Sequence, residues 1–130
     1  MELIDKVLLD KLTQEAVDND RLRINYNFHK DLSDKCQRLL NAMEPGTMIP
    51  IHHHKVAEMY IVLRGCLKAN IYDDNKRIIE SYTINPKEGT FGVQIEKNQW
   101  HSVEVLEHGT VIFEVKEGPY IPHETGGILE

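Results

Sequence analysis

The stretch GTMIPIHHHKVAE, residues 46–58, sets three consecutive histidines in mid-chain, with a glutamate four residues after the last of them. An expression tag would sit at a terminus. This run lies between apolar segments, so it reads either as an exposed polar loop or as a set of ligands. In an extended backbone alternate side chains share a face. His52 and His54 then project together, and His53 projects to the other side.

The chain around this stretch has 130 residues, close to the commonest domain size, which predicts one domain with a sizeable core. A composition of 41% hydrophobic and 28% charged residues is that of an ordinary globular protein. The formal charge of −6 argues against a general nucleic-acid binder, which needs a clustered basic face. It leaves room for a local basic pocket that takes an anionic ligand. Cys36 and Cys66 form no CxxC pattern, which predicts a reduced cytoplasmic compartment with both as small buried hydrophobes. The first 20 residues carry acids throughout and lack a positive n-region, so no signal peptide is expected. No apolar run approaches the ~20 residues needed to cross a membrane.

Two hydrophobic periods divide the chain. Leu3, Ile4, Val7, Leu8, Leu12 and Ala16 recur at spacings of three and four, predicting an amphipathic helix over 3–17. From Arg21 the period becomes two. Leu22, Ile24, Tyr26 and Phe28 alternate with Arg21, Arg23, Asn25, Asn27 and His29, as in a strand or extended arm with one polar face. Short strand-like runs follow at 37–43, 47–52, 59–63, 66–72, 77–84, 91–95, 100–106 and 110–115. Turn signals separate them, among them Arg64-Gly65, Asp73-Asp74-Asn75-Lys76 and Glu96-Lys97-Asn98. Short strands at this spacing predict an all-β sandwich or barrel. The tail GPYIPHETGGILE is expected to run over the surface as a strap.

On such a scaffold the HxH pair is a ready bidentate metal site, since neutral imidazole is the commonest metal ligand. Glu58 follows a short bend and could return a carboxylate to the same centre. His101 starts a strand after a turn and is the best third imidazole. Three imidazoles and one carboxylate leave an open position on a five- or six-coordinate ion, as a catalytic metal requires. A mixed N/O shell suits Zn, Fe, Mn or Ni and does not name the ion.

Residues 46–65 fit the first cupin motif at every fixed position: Gly46, His52, His54, Glu58 and Gly65. The second motif, PxG followed by two residues and His, is met at His101. Glu96 and Asn98 stand at its Pro and Gly positions, and Val105 stands where it closes on Asn. Asn tolerates the left-handed backbone that Gly usually supplies, so the turn can survive. The chain more narrowly resembles the WbuC-type cupin-fold metalloproteins. The matching pieces include Arg21-Leu22-Arg23, Asn27, His29, the HxH, Gly92-Val93, Trp100-His101 and residues 114–120, together spanning roughly 20–120.

The resemblance implies an all-β, single-domain cupin, a jelly-roll-like double-stranded β-barrel with an N-terminal α-helix. The helix region (1–20) packs outside, the barrel spans 21–120 and the tail is 121–130. It implies one divalent metal ion on His52, His54, Glu58 and His101, with His53 facing outward. It also implies a frequent association with bacterial surface-polysaccharide gene clusters, and a homodimer. Beside the metal, Arg23 offers a planar fork for a carboxylate or phosphate. Asn27 and Tyr120 are further candidates for substrate binding, and His29 for a catalytic proton shuttle. The expected function is a metal-dependent isomerase, epimerase or dioxygenase acting on a small polar or anionic molecule such as a sugar derivative. The alternative is a non-enzymatic module that binds a carbohydrate or metabolite through its metal.

Overall fold

The change of period after the first 20 residues becomes one helix followed by strands in the computed structural model, which describes residues 1–120 together with Gly127 and Ile128. The helix, α1 (Lys6–Val17), starts where Asp5 accepts a hydrogen bond from the Leu8 amide at 3.0 Å. That bond satisfies one of the donors a helix start leaves open. Its buried stripe is Leu9, Leu12, Thr13 and Ala16. The stripe expected from Leu3 onward is displaced: Leu3, Ile4 and Val7 are all exposed. Leu3 and Ile4 precede the Asp5 cap. Val7 stands two residues, roughly 200° of helix rotation, from the buried Leu9.

Eight strands follow: β1 (Arg23–Asn27), β2 (Cys36–Met43), β3 (Glu58–Arg64), β4 (Leu67–Tyr72), β5 (Ile78–Ile84), β6 (Gly92–Ile95), β7 (His101–Val105) and β8 (Thr110–Glu117). They form a five-stranded sheet in the order β1-β2-β8-β3-β6 and a three-stranded sheet in the order β5-β4-β7. All pairings are antiparallel. The strand expected over 47–52 is instead an extended segment. Pro50 has no amide to donate to a ladder, and only His52 makes bridges, to His101 and to Ile128.

Alternation along the strands of the large sheet produces two apolar layers. Its outer face presents Leu40, Ala42 and Val111, with Ile24, Tyr26 and Phe113, to Leu9, Leu12 and Ala16 of α1. Its inner face presents Met43, Tyr60, Val62 and Ile112 to Leu67, Ala69, Val103 and Val105 of the small sheet. Burying a side chain such as Leu12 or Leu40 is worth about 1.5–3 kcal/mol, so α1 is a firm part of the fold.

Turn chemistry matches the sequence signals. Asp73 Oδ1 accepts from the Asn75 and Arg77 amides at 2.8 and 3.0 Å, closing the β4–β5 turn. Gly65 has φ +93°, and a Cβ there would lie 2.2 Å from Thr110 Oγ1, so only glycine fits between β3 and β4. Asn98 takes φ +61° at the glycine position of the second motif, as expected. Both cysteines are free: Cys66 is buried, and burial raises its thiol pKa, but Cys36 is exposed rather than buried. It begins β2 opposite Glu117, at the open end of the β2–β8 ladder. Most of the tail, expected as a strap, lies outside the described residues. Among the described residues no helix is long and apolar enough to cross a membrane.

Candidate metal centre and its cavity

Two chain segments are fastened together to build the site. The extended segment at His52 exchanges backbone hydrogen bonds of 3.0 and 2.9 Å with His101, the first residue of β7. The Asn98 amide donates to the His54 carbonyl at 2.7 Å, so the left-handed turn before β7 also holds the histidine loop. Glu58 opens β3 and enters the inner face between Lys116 of β8 and Ile95 of β6. Together these contacts gather His52, His54, Glu58 and His101, each offering one ligand atom, all within 4.8 Å of one another.

The hydrogen bonds around the cluster set the state of its nitrogens. His52 Nδ1 lies 2.8 Å from the Pro50 carbonyl, and His101 Nδ1 lies 2.8 Å from the Gln99 carbonyl. A carbonyl only accepts, so each Nδ1 carries the proton and donates. In the neutral ring this leaves the Nε2 lone pair for the cluster. That is the support ligating histidines normally receive from a backbone carbonyl. Burial first, then the neighbouring His101, pushes the His52 pKa down to about 3, so this ring is neutral at pH 7.

Glu58 is 4% exposed. Burial alone would raise its pKa, but the His101 and His54 rings, where they carry a proton toward the carboxylate in the metal-free chain, outweigh that and hold it well below the usual carboxylate range. Its contacts are His54 Nε2 at 3.0 Å and His101 Nε2 at 3.3 Å. The buried Tyr60 hydroxyl donates to the same carboxylate and lies 3.3 Å from His101 Nε2. Burial, and then the charges of Glu58 and Glu114, raise the Tyr60 pKa well above its ordinary value, so it remains a donor.

This donor set fits a divalent ion. A carboxylate oxygen and an imidazole lone pair repel one another unless a proton or a metal cation lies between them. Two ligands each about 2.1 Å from one ion lie up to about 4.2 Å apart. The cluster is close to that size, and small side-chain rotations make up the rest.

The cluster opens into a cavity of about 630 Å³. Of the residues expected to bind substrate, Arg23 and Tyr120 line it, together with His52, His54 and Glu58. Arg23 Nη1 also donates to the Met48 carbonyl at 2.6 Å. Burial, then the charge of Arg21, lowers the Arg23 pKa. Asn27 and His29 are not among the lining residues. Asn27 is exposed at the end of β1. His29 is 6% exposed, and its Nδ1 accepts from the Arg38 amide at 3.1 Å. His53 stays out of the cluster, its ring 4.2 Å from that of Trp100 and its amide donating to the Gly127 carbonyl.

Asn25, on the polar face of the same arm as Arg23, also lines the cavity, and Arg21, Asn41 and Glu114 line it without having been assigned a site role from the sequence. Arg21 and Asn25 belong to the polar alternation that runs into β1. Asn41 and Glu114 are polar residues on inward positions of β2 and β8, a signal visible only once the inward face is known.

Solved structures share this architecture. The protein of unknown function SPY1581 from Streptococcus pyogenes superposes with a TM-score of 0.63 at 15% identity, covering 92% of this chain and 90% of that one. KdgF from Halomonas sp. gives 0.58 at 11% identity, over 76% and 82% of the two chains. A cupin superfamily protein from Desulfitobacterium hafniense gives 0.59 at 12% identity, over 73% and 76%. At such identities the likeness is one of fold, and the fold is the cupin barrel. No curated protein matches the sequence. A family model described as "Domain of unknown function (DUF6016)" matches residues 4–84, from α1 through β5, including His52, His54 and Glu58. That match covers more than half of the chain, and the protein therefore belongs to the DUF6016 family.

Proposed function

We propose that His52, His54, Glu58 and His101 hold one divalent metal ion, and that the protein is a metal-dependent enzyme acting on a small polar or anionic metabolite. The observation that carries this reading is the buried Glu58 carboxylate facing imidazole nitrogens whose ring partners are backbone carbonyls. When bound, the metal would polarise a substrate oxygen or activate water or oxygen at its open position. The ion is Zn, Fe, Mn or Ni. Isomerisation, epimerisation and dioxygenation all suit this set of ligands.

The chain's own groups have separable tasks. Tyr60 holds the Glu58 carboxylate by its hydroxyl. Arg23, at the cavity wall, receives an anionic group, and Tyr120 covers the same space. Asn27, on the Arg23 face of β1, and His29 lie outside the lining, so a role for either requires a substrate that extends along that strand. A sugar derivative is the metabolite class that matches a polar, arginine-bearing cavity of this size. The WbuC-type resemblance adds a role in surface-polysaccharide metabolism, in the cytoplasm and as a homodimer.

The test is elemental analysis of untagged protein purified without nickel resin, beside His52→Ala and His101→Ala. We expect about one metal ion per chain in the parent and none in either variant. A parent that takes up no Mn, Fe or Zn on reconstitution overturns the reading.

A further inference from the structure

We propose that Asn41 and Glu114 form an acceptor pair on the cavity wall which, with Arg21 and Arg23, selects a hydroxylated small anion of the sugar-acid class. This rests on the reading that the cavity beside the metal centre takes the substrate. Asn41 and Glu114 are diagonal neighbours across β2 and β8, because Asn41 pairs with Ile112 and Leu39 pairs with Glu114. The Asn41 Nδ2 donates to Glu114 Oε1 at 3.1 Å. The Asn41 Oδ1 is buried and has no hydrogen-bond partner among the described residues. Buried acceptors in native proteins are nearly always satisfied. This one lies in a side chain that lines an open cavity, so a ligand donor is its natural partner.

The opposite chemistry stands beside it. Arg23 pairs with Met43, and Asn25 pairs with Asn41, so Arg23 stands one diagonal step from Asn41 on the same face. That step is about 7–8 Å between backbones, within reach of long side chains. Guanidinium groups only donate, and two of them near one another favour an anion between. Across the sheet the order is therefore Arg23, Asn41, Glu114, then Tyr60 and Glu58 of the metal centre. A matching ligand has an anionic end for the arginines and hydroxyl donors for the Asn41–Glu114 pair. A plain dicarboxylate lacks the donors, and a neutral polyol lacks the anion.

The experiment is calorimetric titration of the full chain, metal-loaded and metal-stripped, with three six-carbon probes: D-gluconate, adipate and D-sorbitol. We expect gluconate to bind about tenfold more tightly than either of the others, as two net hydrogen bonds would give. Asn41→Leu and Glu114→Met, which remove the two acceptors, should bring gluconate down to the affinity of adipate. Metal content and Tm of each variant report whether it folds. If the variants do not fold, the ranking of the three probes on the parent decides. Absence of gluconate binding, equal binding of adipate or sorbitol, or folded variants that keep the preference would each overturn the inference. A chain that takes up no metal but still prefers gluconate sinks the metal reading alone. A metal-loaded chain without the preference sinks this inference alone.

Discussion

Strand β3 carries a charged side chain at each end, and the two ends manage charge in opposite ways. Glu58, at its start, is 4% exposed and surrounded by imidazoles and a tyrosine hydroxyl. Arg64, at its end, follows a register shift that breaks the regular alternation with β8. Its Nη1 donates to Asp10 at 2.6 Å, its Nη2 to Thr13 at 2.9 Å and its Nε to the Gly109 carbonyl at 2.9 Å. That end ties α1 to the barrel in partial contact with water. A charge kept wet needs little from its partners. A charge kept dry needs counter-charge and hydrogen bonds around it, or its pKa shifts until it is neutral. The dry end is where chemistry is available.

The sharpest way to break the contrast is to loosen the dry end without touching a ligand. Tyr60→Phe removes the hydroxyl that holds Glu58 and leaves the ring packed in the core. Metal affinity should fall about 10–100-fold, as when the outer support of a ligand is lost. Competition against a chelating indicator measures it, and an unchanged affinity would show that Glu58 is held by the imidazoles alone.

Glu114 tests what happens to a neighbouring carboxyl that lacks the imidazoles. Burial, and then the Glu58 charge, raise it to about 7 despite the opposing hydrogen bond from Asn41. The folded protein thus binds a proton that the unfolded chain releases at about 4.5. Stability should decline as pH rises from about 4.5 to 7, with the penalty fully present above that range. In metal-stripped protein Glu114→Gln should therefore gain roughly 1–3 kcal/mol at pH 8 and almost nothing at pH 4.5. Urea unfolding at the two pH values measures the difference, and an equal effect at both would show that the carboxyl is not desolvated.

The smallest effect belongs to the wet end. Asp10→Asn weakens the pairs to Lys6 and Arg64, both on exposed ground. The Tm should move by no more than about 2 °C, and 1 M NaCl should abolish the change. A larger shift that survives salt would mean that α1 is fastened through Arg64 rather than through Leu9, Leu12 and Ala16.

Much of the fold was readable before any coordinates. Alternation in the arm after Arg21 and short strand-like runs between turn signals marked all eight strands within a few residues, and Gly65 and Asn98 marked turns that prove to need their backbone geometry. Three readings failed for local reasons, one being the burial of Cys36, which lies at the open end of the β2–β8 ladder. The Leu3–Ile4–Val7 stripe ignored the Asp5 cap, and the 47–52 strand ignored the missing amide of Pro50. In the site, the HxH spacing, Glu58 and His101 were legible because few residue types can coordinate a metal ion and these four occupy fixed places in two motifs. Asn41 and Glu114 were not, since a polar residue in a strand reads equally well as solvated or inward.

The sequence alone determined the alternation of faces, the position of the turns and the identity of the four clustered side chains, because these depend on neighbours along the chain. Tertiary structure decided which face closed over the barrel, that Arg23 and Tyr120 share the cavity while Asn27 and His29 stand apart from its lining, and that Asn41 meets Glu114. Those outcomes depend on the register between strands tens of residues apart. Register is set by packing of the whole inner face, which no short stretch of sequence contains.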